Sequence, residues 1–185
     1  MLTLAGGFRR LASLAAAALV LGACSSDGTA QNGDASAPAT IRLTSPAFAD
    51  GSAIPSRFTC DGDDVSPALS WSGGPVAEEY VLIVTDLDAG FIHWVAFGLP
   101  GTATGIPEGA SPAGAKEGTN DFGKRGYGGP CPPPGSGPHR YRFVLYALAE
   151  APKDGISEGA SGDEVRDAIR CCVAARGILT GTYRR

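Results

Sequence analysis

The chain has 185 residues, 43% of them hydrophobic, enough for one domain of ordinary size with a real core. Its 27 glycines and 14 prolines favour a loop-rich, mainly β chain over a helical bundle. A formal net charge of −4 argues against nucleic acid, whose phosphates need a basic patch, and no polybasic segment is present to grip anionic lipid.

Residues 1–23 read as a lipoprotein signal peptide. Arg9 and Arg10 give a positive start, and 11–21 is an Ala-rich apolar run too short to span a bilayer. Leu21-Gly22-Ala23-Cys24 then has the form of a bacterial lipobox. Cys24 is expected to carry acyl chains, palmitate among them, and to hold the protein on a membrane of the bacterial cell envelope with its domain on the exported side. Cleavage before Cys24 removes both arginines and no acidic residue, so the mature chain is more acidic still. Residues 24–40 are small and polar and read as a flexible tether. The folded domain is expected over 41–185.

Residues 41–43 begin the first strand, and Leu69 and Trp71 alternate as a second strand would. Between them Asp61, Asp63 and Asp64 crowd one turn. The run lacks the later ligands of an EF-hand loop, so it reads as a hydrogen-bonded turn. The β-branched run 79–85 is the best central-strand candidate, and 93–99 is the next strand. Residues 101–118 read as a long loop. In 118–148, Gly, Pro, Asn and Asp make turns until His139, where an aromatic and apolar strand begins. Ser161-Gly162-Asp163-Glu164 is a capping box, predicting a helix to about Arg176 that ends on Gly177, with Cys172 on its buried face. Residues 178–183 close the domain as a strand. The fold class expected is mainly β (α+β): an antiparallel, sandwich-like domain of two packed sheets with a short C-terminal helix and long Gly/Pro-rich loops.

The chain has two histidines. Asp86 ends one strand, His93 begins the next, and His139 and Tyr141 begin a third, so their convergence at strand ends is expected. The bland alternative for His93, flanked by Ile92 and Trp94, is a core histidine tied to a backbone carbonyl. One Asp with two His also has the composition of a metal-binding triad, which keeps a metal-dependent enzyme as a second reading. No CxxC pair suggests zinc, and Ser66 precedes a proline with no evident base. A binding protein without metal or cofactor, not an enzyme, is the leading expectation.

Tyr127, Gly129-Pro130, Pro132-Pro133, Gly135 and His139-Arg140-Tyr141 resemble the most diagnostic segment of the phosphatidylethanolamine-binding protein family, in its bacterial Raf-kinase-inhibitor-like branch. Residues 60–71, 86–100 and 179–185 agree in family order, so the resemblance covers 41–185. It implies that Asp86, His93, Gly129, Pro130, His139 and Tyr141 line a small cavity for phosphate, phosphoethanolamine-like head groups or other small anions. Imidazoles, the Tyr141 phenol and a Gly129 N–H would be its donors, with Asp86 favouring a protonated His and Asp88 shaping the turn. The family also brings Cys60 and Cys131 close, which makes them the expected disulfide. A third reading, a protein-docking inhibitor or scaffold, follows from the name of the eukaryotic relatives. One departure is visible: Asp86-Leu87-Asp88-Ala89-Gly90 lacks the family's two prolines and its longer insertion, which puts the shape of the cavity rim in question.

Overall fold

A computed structural model describes residues 41–185. The expected signal peptide, Cys24 and the tether lie outside the described residues. Eight strands and one α-helix follow in the order β1 (Arg42–Thr44), β2 (Leu69–Ser72), β3 (Glu79–Asp86), β4 (Phe91–Pro100), β5 (Gly105–Ile106), β6 (Lys116–Glu117), β7 (His139–Leu148), α1 (Gly162–Ile169) and β8 (Val173–Tyr183). A three-stranded sheet has the order β1-β2-β5, and a five-stranded sheet the order β6-β4-β3-β7-β8. All their pairings are antiparallel.

The two sheets pack face to face. Leu43, Leu69, Trp71 and Ile106 from the smaller sheet meet Leu82, Val84, Trp94, Phe143 and Leu145 from the larger in one core. A second layer, with Val81, Ile83, Val95 and Val144, lies on the other face of the larger sheet beneath Val165 and Ile169 of α1. β3 is therefore covered on both faces, and Tyr80 through Asp86 are all buried. That is why 79–85 reads as a continuous apolar run instead of an alternation. β5 and β6 are two-residue strands inside the stretch expected to be loop.

The capping box at Ser161 and Glu164 forms, with each side chain bonded to the other's backbone N–H. The helix stops at Ile169, well short of the expected Arg176. β8 begins at Val173 instead, because its pairing with β7 runs from Leu148↔Val173 to His139↔Tyr183. Gly177 is thus mid-strand and not a helix terminator. Its lack of a side chain serves close packing, since a Cβ there would stand 2.8 Å from the Ile41 carbonyl oxygen.

The outer edge of β8 is covered by residues 50–54. Gly51 and Ile54 N–H donate to Thr180 and Thr182 carbonyls, Ser52 C=O accepts from Thr182, and Asp50 Oδ1 accepts from Thr180. The described residues hold two disulfides, Cys60–Cys131 and the adjacent pair Cys171–Cys172.

Candidate functional site

Pairing of β3 with β7 sets Asp86 opposite Tyr141, which brings the end of one strand beside the start of the other. Asp86 Oδ1 accepts the N–H groups of Asp88 and Ala89 at 2.9 and 3.2 Å. These bonds close the tight turn into β4, so the missing prolines are replaced by a side-chain-fixed turn. The other oxygen, Oδ2, accepts from His139 Nδ1 at 2.7 Å. Asp86 is 3% exposed, so the pair is shielded from water and its attraction is little screened. On the far side of the ring, His139 Nε2 lies 3.1 Å from the Ser136 hydroxyl.

Asp88 does more than shape the turn. It clamps Arg140 through Nε at 3.2 Å, Nη2 at 2.8 Å and the Arg140 N–H at 2.7 Å. The guanidinium holds the Asp88 carboxyl below its ordinary range.

His93 enters from β4 and is 3% exposed. Its Nδ1 lies 2.7 Å from the Gly128 carbonyl oxygen. A carbonyl can only accept, so in the neutral ring Nδ1 carries the proton and Nε2 is left as an acceptor. Burial pushes the His93 pKa below 6.5, opposed in part by the carbonyl of Gly128 and the charge of Asp86. His93 therefore has both characters weighed from sequence: a histidine tied to a carbonyl, and one that faces the cluster. Its ring stands edge-on to Tyr141 at 5.2 Å between centroids.

Tyr141 is fully buried, and its hydroxyl makes no well-formed hydrogen bond. Burial, then the negative charge of nearby Asp86 and the approach of the hydroxyl to that carboxylate, raise its pKa far above the usual phenol range, so it is a permanent O–H donor.

The expected backbone donor is otherwise engaged. Gly129 N–H donates to Asp64 Oδ1 at 2.7 Å, and Gly128 N–H to the His93 carbonyl at 2.9 Å. Glycine at 129 answers to crowding instead: a Cβ would stand 2.6 Å from the Phe58 carbonyl oxygen. Pro130 C=O accepts from Cys60 N–H at 3.2 Å, beside the Cys60–Cys131 bridge. The 128–131 segment is thus a pinned wall of the site. Asp64 sits at φ 54°, a conformation that Asp tolerates better than most side chains. The rest of the acidic turn is also spoken for, Asp61 by Tyr183 and Arg185 and Asp63 by Arg57.

Three residues near the site escaped sequence reasoning. Ser136 was one more polar residue in a Gly/Pro loop. Phe91 and Phe122 flank His93, with ring centroids 5.1 and 5.3 Å from the imidazole. The one available signal was an aromatic residue at 122 inside an otherwise turn-forming stretch. Residues 155–159 form a Gly-x-Ser-x-Gly pattern. It lies in the loop between β7 and α1, where Ser157 shares a cleft of about 330 Å³ with Glu158 and Glu164 and no histidine. It lacks both the strand-to-helix turn and the base of a nucleophile elbow. Among the described residues, no three His, Cys, Asp or Glu side chains are placed to hold a metal ion.

The family model for phosphatidylethanolamine-binding proteins matches residues 44–184. A Mycobacterium tuberculosis protein bearing the lipoprotein name LppC is 39% identical over 157 residues, 81% of this chain and 77% of that one. A protein of Methanothermobacter thermautotrophicus is 45% identical over 154 residues, 78% of this chain and 99% of its own. Two crystal structures share the fold. The phosphatidylethanolamine-binding protein homolog of Chlamydia trachomatis gives a TM-score of 0.72 at 35% identity, over 79% of this chain and 98% of that one. Escherichia coli YbcL, described as a member of the mammalian family, gives 0.73 at 31%, over 80% and 99%.

Proposed function

The chain belongs to the phosphatidylethanolamine-binding protein family, and from that premise we propose that it is an exported binding protein, not an enzyme, anchored by lipid on Cys24 and holding a small anion between His139, His93 and Tyr141. The single observation that carries this reading is the Tyr141 hydroxyl. It is a buried O–H that approaches the Asp86 carboxylate and the Cys131 N–H without making a hydrogen bond of good geometry to either, beside a shielded Asp86–His139 pair. A buried donor left unmade costs about 1–3 kcal/mol, a cost that a ligand oxygen would remove.

Each group has a part. Asp86 is turned toward His139 and its own turn, so it orients the imidazole without presenting itself to the anion. With both ring nitrogens protonated, His139 would offer Nε2–H in exchange for its contact with the Ser136 hydroxyl, and Tyr141 offers O–H. Neutral His93 offers a lone pair, which suits a ligand oxygen that still bears a proton, as in a phosphate monoanion. Phosphate-bearing head groups and small organic anions both meet these terms. The LppC name and the lipobox support the anchor on Cys24, a tether over 24–40 and a domain over 41–185.

Calorimetric titration with inorganic phosphate and with phosphoethanolamine tests the proposal. A charge-assisted hydrogen bond contributes about 1.5–3 kcal/mol, so His139→Ala should bind roughly ten-fold to a hundred-fold more weakly. Affinity should also fall between pH 6 and pH 8, as phosphate loses the proton that the free ring nitrogen of neutral His93 would accept. Equal affinities for wild type and His139→Ala would remove His139 from the site.

A further inference from the structure

Resting on that reading, we infer that Phe122, with Phe91 behind it, forms an apolar subsite at the rim of the anion site, so that the preferred ligand is an anion carrying an apolar or aromatic group next to its charge. Inorganic phosphate and the short, ammonium-bearing phosphoethanolamine lack such a group.

Phe122 is 43% exposed, and among the described residues only Val76 is a more exposed large hydrophobic. A lone exposed apolar residue ordinarily means nothing. This one is held in place by a dedicated support. Asn120 is 2% exposed, and its side-chain oxygen accepts the N–H groups of Phe122 and Lys124, each at 3.1 Å. Its amide donates to the Gly126 carbonyl at 3.0 Å and reaches the His93 carbonyl at 3.5 Å. A buried asparagine spends its side chain on fixing a turn whose tip is apolar and half in water.

The direction of the ring is also fixed. A Cβ on Gly128 would fall 2.6 Å from Phe122 Cδ2, so the ring lies directly over the Gly128 backbone. The carbonyl of that residue holds His93 Nδ1. Phe122 is edge-on to both Phe91, at 4.7 Å, and His93, at 5.3 Å. One end of this aromatic row therefore joins the imidazole that faces the anion, and the other end is open to water. On this inference the apolar atoms of an anion seated on His93 and His139 reach Phe122, the half-exposed ring that contacts the His93 imidazole. Covering that ring removes apolar surface from water, a gain open only to a ligand with apolar atoms at that distance from its charge.

The test compares phenyl phosphate with inorganic phosphate by calorimetry on wild type, Phe122→Ala and Phe122→Leu. Wild type should bind phenyl phosphate about ten-fold more tightly, the effect of one partly covered ring. Phe122→Ala should lose most of that preference while its affinity for inorganic phosphate stays within about two-fold. Phe122→Leu, which keeps apolar bulk over Gly128, should retain part of the preference and serves if the alanine variant misfolds. Equal affinities for the two anions in wild type, or a preference that survives in Phe122→Ala, would overturn the subsite and leave the anion site standing. Absence of binding for both anions would overturn both.

Discussion

Asp64 gives the sharpest check on how the wall of the site is held. Its carboxylate takes the N–H of Gly129, a buried residue, across 65 positions of sequence, and it does so from a left-handed backbone conformation. Three substitutions separate the two contributions. Asp64→Ala removes the acceptor and leaves the Gly129 N–H unmade, at about 1.5–3 kcal/mol. It also puts an alanine where φ is 54°, about 1 kcal/mol worse than glycine. Asp64→Gly loses the same bond but is at ease in the conformation, so it should be about 1 kcal/mol more stable than the alanine variant. Asp64→Asn keeps an oxygen acceptor and tolerates the conformation, so it should lose only the charge assistance, about 0.5–1.5 kcal/mol. Urea unfolding monitored by tryptophan fluorescence, with m held common, gives the order directly. Phosphate affinity should fall in the alanine and glycine variants, because 128–131 then loses one of the bonds that pin it. An alanine variant as stable as the asparagine one, or a glycine variant no better than alanine, would show that this hydrogen bond and this strain do not hold the wall.

Other expectations follow from single features. His93 has a folded pKa below 6.5, so the unfolded chain binds more protons in that window. Its contribution to stability is complete above 6.5 and is lost as pH falls through the folded value. The loss cannot exceed about 1.4 kcal/mol per pH unit, and the difference between wild type and His93→Gln in urea unfolding at pH 7.5 and 5 should isolate it from the carboxylates. The Cys60–Cys131 bridge closes a loop of separation 71, and Cys60→Ser with Cys131→Ser should cost up to about 4 kcal/mol in thermal or urea unfolding. A thiol assay on the denatured, unreduced domain should find none free at Cys60, Cys131, Cys171 or Cys172. Cys24→Ser should release the protein from the membrane fraction or block its processing, and a variant that fractionates like wild type would remove the anchor.

The sheet was legible where burial writes itself into the chain. The runs at 79–85, 93–99 and 141–148 are apolar because β3, β4 and β7 lie between two packed layers, and their ends placed Asp86, His93, His139 and Tyr141 near one another. β5 and β6 left no mark, since two residues paired across a long separation show no period. The helix was drawn too long because 170–176 carries no strong breaker. Its strand character comes from pairing with β7, a tertiary preference that local propensity does not record. At the site, residue types were readable and hydrogen-bond partners were not. Gly129 looked like a free N–H because nothing in the sequence ties it to Asp64. Phe122 looked like part of a turn because the support given by Asn120 closes only in three dimensions.

The cover over β8 bears on how copies of this protein would share a surface. Molecules tethered as proposed move in one plane with their domains at similar heights, so they meet side by side far more often than in free solution. A bare strand at the border of a five-stranded sheet would then offer each neighbour a place to pair, and sheets would grow laterally across the membrane. Residues 50–54 occupy that border from within the same chain, satisfying Thr180 and Thr182 before a neighbour can. On a membrane surface, the short segment ahead of the 3-10 turn Ser56–Phe58 would act as a spacer between crowded copies, keeping them separate at densities where an uncovered edge would link them.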